Sequence, residues 1–240
     1  MKTDSDAIHT MTPDEIVARV SELNPKFLEG LAPEETASIL EAASLRRFHA
    51  RTVVTREGHD AEKLFLFLEG RGRMFATTSG GEKVILLGVF PGDIAGGRTA
   101  LREPMKYLVS TETVVDSVLL GWSRNTFLPF LQKYPRVLEN GLLTASDYME
   151  SYQELLIAAS HDTAGKRVAR ALDGWAKSIG KKVDDGLGLH INNEELANQA
   201  NVTIFTVSRL LSEWQRQGLL VKSRGKVVIR TPIELVDSVE

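Results

Sequence analysis

The sequence predicts an α+β protein with a β-rich domain, a long helix and a C-terminal winged helix-turn-helix. Three observations carry that expectation. Between Arg47 and Trp122, short apolar runs are separated by Gly, Asp, Glu and Pro, the texture of many short strands in a barrel or sandwich. From Leu138 to Ala159, apolar residues recur in alternating steps of four and three, which is a helical seam. Near the C-terminus, Asn192–Ala197 and Thr203–Leu211 read as two helices joined by a tight turn and followed by a basic hairpin.

The N-terminal segment, 1–24, reads as an extra amphipathic helix. Thr12 and Glu15 form a capping box with Pro13 at the first helical position, and Ile16, Val17 and Val20 follow on one face. A second short helix opens at Pro33 with Glu34 and Glu35 in its first turn. The strand candidates are Thr52–Thr55, Leu64–Leu68, Arg73–Thr77, Val84–Phe90 and Val114–Trp122. Residues 127–160 return to a helical period, and the seam is Leu138, Leu142, Ala145, Met149, Tyr152, Leu156 and Ala159. A helix packed on its own β-domain would also need an apolar stripe. A seam this narrow over three heptads favours an intersubunit coiled coil. Ser160-His161-Asp162 is a hinge into the helix Ala164–Ile179, because a catalytic triad is geometry across a fold and not a run of neighbours.

In the C-terminal pair, Asn192 caps the first helix with Glu195 completing the box, and Asn201 suits the positive φ of the turn. Thr203 caps the second helix, which leaves Ile204, Phe205, Ser208 and Arg209 on its exposed first turns. The wing is Leu219–Lys222 and Val227–Arg230 around the turn Ser223–Lys226. Lys222, Arg224, Lys226 and the cap Thr203 are candidate phosphate contacts, which set register rather than sequence.

Composition bounds the chemistry. The chain of 240 residues is long enough for two cores, and 42% hydrophobic with 25% charged residues is ordinary for a soluble globular protein. No apolar run approaches the ~20 residues that span a bilayer, and the acidic N-terminus is no signal peptide, so a cytoplasmic protein without a membrane partner is expected. The absence of cysteine excludes disulfides, thiolate zinc sites, cysteine nucleophiles and cysteine-ligated iron–sulfur clusters. The five histidines show no ligand spacing. Net charge is −3, but residues 161–230 hold 12 Lys/Arg against 7 Asp/Glu, while residues 1–160 hold 17 against 22. A basic end on an acidic body fits a protein that touches phosphates with one end only. Gly96-Gly97-Arg98-Thr99 lacks the Lys-Ser/Thr ending of a phosphate-binding loop, and no enzyme activity is expected.

The order of these parts resembles the Crp/Fnr family of bacterial transcription regulators over about residues 25–232. The motifs that carry the resemblance are Arg56–Ala61, Leu66–Arg71, Phe90–Gly96 and Thr206–Leu211. It implies a β-roll or jelly-roll sensor domain over 25–130, a dimerisation helix over 131–160 and a DNA-binding domain over 161–240. It also implies a homodimer whose recognition helices sit one DNA turn, ~34 Å, apart on a roughly palindromic duplex. RNA polymerase is the further partner if the protein is an activator. The cyclic-nucleotide branch carries a Glu after its Gly-Asp turn for the ribose and an Arg-Ser pair for the phosphate. Here the ungapped match places Gly97 and Tyr107-Leu108 at those positions, so cyclic AMP is not expected to bind tightly. An unidentified effector would meet Gly97, Arg98, Thr99, Tyr107 and Leu108. Arg98, Arg102 and Lys106 could serve a different anion or be solvated loop charges. No cofactor is expected, and the missing cysteines exclude the iron–sulfur branch. The family has a haem-binding branch, and no spacing of His or Met singles out a haem ligand here.

In the reading helix, Arg209 matches the family's residue for bidentate pairing with guanine O6/N7, and Ser208 can contact a base or a phosphate. Phe205 stands where relatives usually carry Glu. It either meets a thymine methyl or packs into its own domain. The leading reading is a dimeric regulator that binds specific DNA. The alternative is a ligand-sensing or protein-interaction module without sequence-specific DNA binding.

Overall fold

The computed structural model describes residues 11–230, and the side chains of all of these except 158–160. The chain runs through α1 (Pro13–Leu23), α2 (Pro33–Glu41), β1 (Ser44–Phe48), β2 (Val53–Thr55), β3 (Lys63–Glu69), β4 (Gly72–Thr77), β5 (Lys83–Val89), β6 (Ile94–Ala95), β7 (Ser110–Thr113) and β8 (Ser117–Ser123). Three helices follow, α3 (Arg124–Lys133), α4 (Pro135–His161) and α5 (Ala164–Ile179). The C-terminal domain adds the hairpin β9 (Lys181–Val183) and β10 (Gly186–Leu189), then α6 (Asn193–Ala200), α7 (Ile204–Arg216), β11 (Leu220–Ser223) and β12 (Lys226–Ile229).

The N-terminal β-domain is two antiparallel four-stranded sheets, ordered β1-β8-β3-β6 and β2-β7-β4-β5. The continuous apolar run of β3 is explained by burial on both faces. Phe65 and Phe67 join Met74, Val89 and Leu119 between the sheets. Leu64, Leu66 and Leu68 face the opposite way, into a core with α1, α2 and α3 that includes Trp122 and Phe127. Trp122 is fully buried and its indole N–H donates to the Ile39 carbonyl at 2.7 Å.

The structure corrects several sequence-based expectations. The segment 1–24 is more than an appended helix: residues 1–10 lie outside the described residues, while α1 buries Val20 in the β-domain core and Arg19 donates to the Leu68 carbonyl. The strand candidate Val114–Trp122 is only half right, since Val114, Val115 and Asp116 form the turn between β7 and β8. Region 127–160 is two helices broken at Tyr134, so the long helix begins at Pro135 and residues 131–133 finish α3. It also runs through Ser160 and His161, and the hinge is Asp162-Thr163, where the Thr163 hydroxyl caps α5 by accepting from Lys166 N–H.

The α4 helix is tied to the β-domain on one side only. Buried Asn140 donates to the carbonyls of Phe27 (3.3 Å) and Glu29 (2.8 Å), and the Tyr148 hydroxyl donates to the Ile94 carbonyl at 3.0 Å. The seam residues lie on another side. Leu142, Met149 and Leu156 are 67%, 73% and 69% exposed, and Leu138 and Ala145 are exposed as well. Tyr152 is half-buried, and the side chain of Ala159 lies outside the described residues. Packing on the helix's own domain therefore leaves most of this stripe uncovered.

Candidate nucleic-acid interface and effector cavity

The C-terminal domain has its own core. Val168, Leu172 and Trp175 of α5 pack with Leu196 and Ala200 of α6, Val207, Leu210, Leu211 and Trp214 of α7, and Leu220, Val227 and Ile229 of the hairpin. Each helix begins as its sequence demands. The Asn192 side chain accepts from Glu195 N–H at 2.9 Å while the Glu195 carboxylate accepts from Asn192 N–H. Asn201 adopts the left-handed conformation, φ +50°, and the Thr203 hydroxyl accepts from Thr206 N–H. One face of α7 is thus fixed to the core and the other is open.

On that open face stand Ile204, exposed Arg209 and Phe205, which is 88% exposed. This decides between the two readings of Phe205, because it makes no contribution to the domain core. Ser208 is half-buried and Thr203 is exposed. Arg209 has no ion-pair partner among the described residues, so its guanidinium is unengaged. The wing is less uniform than its sequence suggests. Lys222 is folded back on α7, donating through Nζ to Ser212 Oγ at 2.6 Å and through its backbone N–H to Gln215. Lys226 is half-buried, whereas Arg224 is exposed at the hairpin tip.

Sequence reasoning missed how this domain is held. Arg71, in the β3–β4 turn, donates through Nη2 to both carboxylate oxygens of Glu195 at 2.8 Å. Both side chains are largely buried. Phe90 also packs against the C-terminal core. One residue of the capping box therefore also orients the helix-turn-helix on the β-domain. Arg71 carries no local signal for this, since its partner lies 124 residues away.

A cavity of about 400 Å³ opens between the β-domain and α4. Gly97, Arg98, Tyr107 and Leu108 line it, as do the seam residues Leu138, Leu142, Ala145, Met149 and Tyr152. Thr99, the remaining effector candidate, is fully buried behind the wall and does not line it. Tyr107 is a structural plug: its hydroxyl donates to the Lys63 carbonyl and accepts from Lys63 N–H, both at 2.9 Å. Burial raises the pKa of this phenol above its ordinary value. Gly96 beside it has φ +85°, and a Cβ there would lie 2.4 Å from the Lys63 carbonyl oxygen, so only glycine fits. Of the neighbouring cations, Arg98 donates to the Lys106 carbonyl, and Arg102 and Lys106 are exposed.

Asp93, in the turn after β5, faces α4. Its carboxylate accepts from Phe90 N–H at 2.8 Å, and burial pushes its pKa up to about 6. The folded chain thus keeps this proton to higher pH than the unfolded chain, whose carboxylate titrates near ~4. The group's contribution to stability falls as pH rises from about 4 through about 6. Asp93→Asn keeps an acceptor without the charge. Relative to wild type it should gain at most about 3 kcal/mol between pH 4 and pH 7.5, read from thermal melts at both pH values. A pH-independent difference would show that the carboxylate is not desolvated.

Two family models match this chain: a cyclic nucleotide-binding domain over residues 45–134 and a Crp-like helix-turn-helix domain over residues 166–237. The chain is 31% identical over 210 residues to the cyclic AMP receptor protein of Thermus thermophilus, an overlap of 86% of this chain and 93% of that protein. It is 26% identical over 209 residues to the anaerobic regulatory protein of Bacillus subtilis, covering 83% and 85%. Its fold matches that of FixK2 from Bradyrhizobium japonicum with a TM-score of 0.71 at 20% identity, over 81% of this chain and 96% of that one. It also matches CLP, a c-di-GMP responsive global regulator from Xanthomonas campestris, with a TM-score of 0.69 at 20% identity, over 83% and 100%.

Proposed function

Because the chain belongs to the Crp/Fnr family of transcription regulators, which are not enzymes, we propose that it works as a homodimer that reads a roughly palindromic duplex with paired α7 helices. The observation that supports this most directly is the division of α7. Val207, Leu210, Leu211 and Trp214 are buried, while Ile204, Phe205 and Arg209 stand free on its first turns. That geometry suits a helix whose N-terminal residues meet base edges. Arg209 pairs with a guanine, and Phe205 gives apolar contact to a thymine methyl. Arg224 and the α7 cap Thr203 supply phosphate contacts. Lys222 instead braces the wing against α7, and Lys226 supports the hairpin from a half-buried position.

Two protomers meet along α4 through Leu138, Leu142, Ala145, Met149, Tyr152, Leu156 and Ala159, which covers the exposed stripe. The β-domain senses an effector other than cyclic AMP. Gly97 offers no carboxylate to a ribose, and Tyr107 and Leu108 stand where a cyclic phosphate would need a cation. The protein carries no haem or other cofactor in this reading, and among the described residues no histidine lines the cavity. Among the described residues no helix is long and apolar enough to cross a membrane. As an activator it would engage RNA polymerase.

Selection from random duplex DNA followed by gel shift tests the reading. Enrichment of a palindrome with half-sites one turn apart is expected, with a half-site unlike that of relatives carrying Glu at the Phe205 position. Sequence-blind binding that only weakens with salt would support the alternative, a module that senses ligand or protein without specific DNA binding.

A further inference from the structure

The cavity beneath α4 has a largely apolar wall, interrupted by a few hydroxyl side chains and, among the described residues, one charge. Its volume, about 400 Å³, lies in the range of small-molecule sites. Leu64, Ile94, Val109, Phe127, Leu131 and Met74 supply much of its interior. Among the described lining residues Arg98 is the only charged one, and none of them is acidic. Two of the hydroxyls nearby are already committed, Tyr107 to the Lys63 backbone and Tyr148 to the Ile94 carbonyl. Thr55 also borders the cavity, but its Oγ1 is buried away from the open space, with no hydrogen-bond partner among the described residues. Arg98 is half-exposed and spends one Nη on the Lys106 carbonyl, with no carboxylate within ion-pair distance among the described residues.

An apolar chamber with one unpaired guanidinium selects an apolar body that carries one negative charge. Each methylene moved from water onto such a wall tightens binding roughly fourfold. A carboxylate matches the planar fork of an arginine, and Coulomb attraction strengthens next to a low-dielectric wall. A cyclic nucleotide fits less well, because most of its ribose hydroxyls and purine edges would lie against apolar side chains that offer no hydrogen bonds. We propose that the cavity binds an amphipathic monocarboxylic acid, with its chain or ring among Leu64, Ile94, Val109 and Phe127 and its carboxylate on Arg98. This inference rests on the reading of the β-domain as an effector sensor. Because Leu138, Leu142, Met149 and Tyr152 border the same space, the ligand touches the helix face that joins the protomers.

Isothermal titration of the full-length protein at pH 7.5 with octanoate, octan-1-ol and cyclic AMP tests the proposal. Octanoate should bind once per chain and at least about tenfold more tightly than octan-1-ol. Arg98→Gln should abolish that preference while octan-1-ol binding stays the same, and Arg98→Lys should keep part of it. Val109→Phe, which narrows the chamber, should weaken both ligands. Circular dichroism melts confirm that each variant is folded. Equal binding of the acid and the alcohol, an undiminished preference in Arg98→Gln, or tighter binding of cyclic AMP would each overturn the proposal. The same preparation is assayed on selected DNA. Palindrome selection without octanoate binding refutes this ligand class and leaves the regulator reading intact. Octanoate binding without palindrome selection supports the site and refutes that reading.

Discussion

Met149→Glu should convert the protein from a mass of two chains to a mass of one in light scattering. Met149 is 73% exposed in the single chain, so glutamate there costs the isolated fold little, and far-UV circular dichroism should be unchanged. In the proposed dimer the same position would lie in the middle of the α4 seam, and each assembly would have to bury two carboxylates without partners. An unpaired buried charge costs on the order of 3–5 kcal/mol, so either carboxylate alone would weaken the dimer by roughly 10²–10⁴ and the pair by more. DNA affinity should fall with it, because one recognition helix alone holds a single half-site. A mass that still equals two chains would place the interface elsewhere.

Arg209→Ala should cost about 1–3 kcal/mol of specific binding and relax selectivity at one base pair in each half-site. Arg209 is exposed and unpaired, so its removal leaves no buried group unsatisfied and the domain should stay folded. Fluorescence anisotropy on the selected duplex and on its single-base variants measures the effect. A base-reading arginine gives a loss confined to one position with a nearly constant salt slope. A phosphate contact instead weakens all sequences alike and lowers the salt slope by about 1, and that outcome would remove Arg209 from the reading set.

Much of the candidate interface was legible because its signals are local. The boxes Thr12/Glu15 and Asn192/Glu195, the positive φ at Asn201 and the cap Thr203 each depend on residues within a few positions of one another. They occur in the structure as the sequence implies. The strands were read less well. β1, β7 and the hairpin β9–β10 were missed, and the hairpin has exposed Lys181 and Lys182 on an edge where nothing forces apolar alternation. β6 is two residues long and exists only because β3 offers a free edge to Ile94 and Ala95.

The sequence alone determined the order of the domains, the capped starts of α1, α6 and α7, the helix-turn-helix and the absence of cysteine chemistry, since each follows from neighbouring residues or from composition. Tertiary structure decided the rest. It exposed Phe205, folded Lys222 onto Ser212, set Arg71 against Glu195 and left Arg98, among the described residues, as the one cation in an apolar chamber. The two pairings span 10 and 124 residues, and the exposure of Phe205 and the setting of Arg98 depend on the same packing. Their free energy depends on which surfaces the packed cores bring together, and no local pattern of residues encodes that.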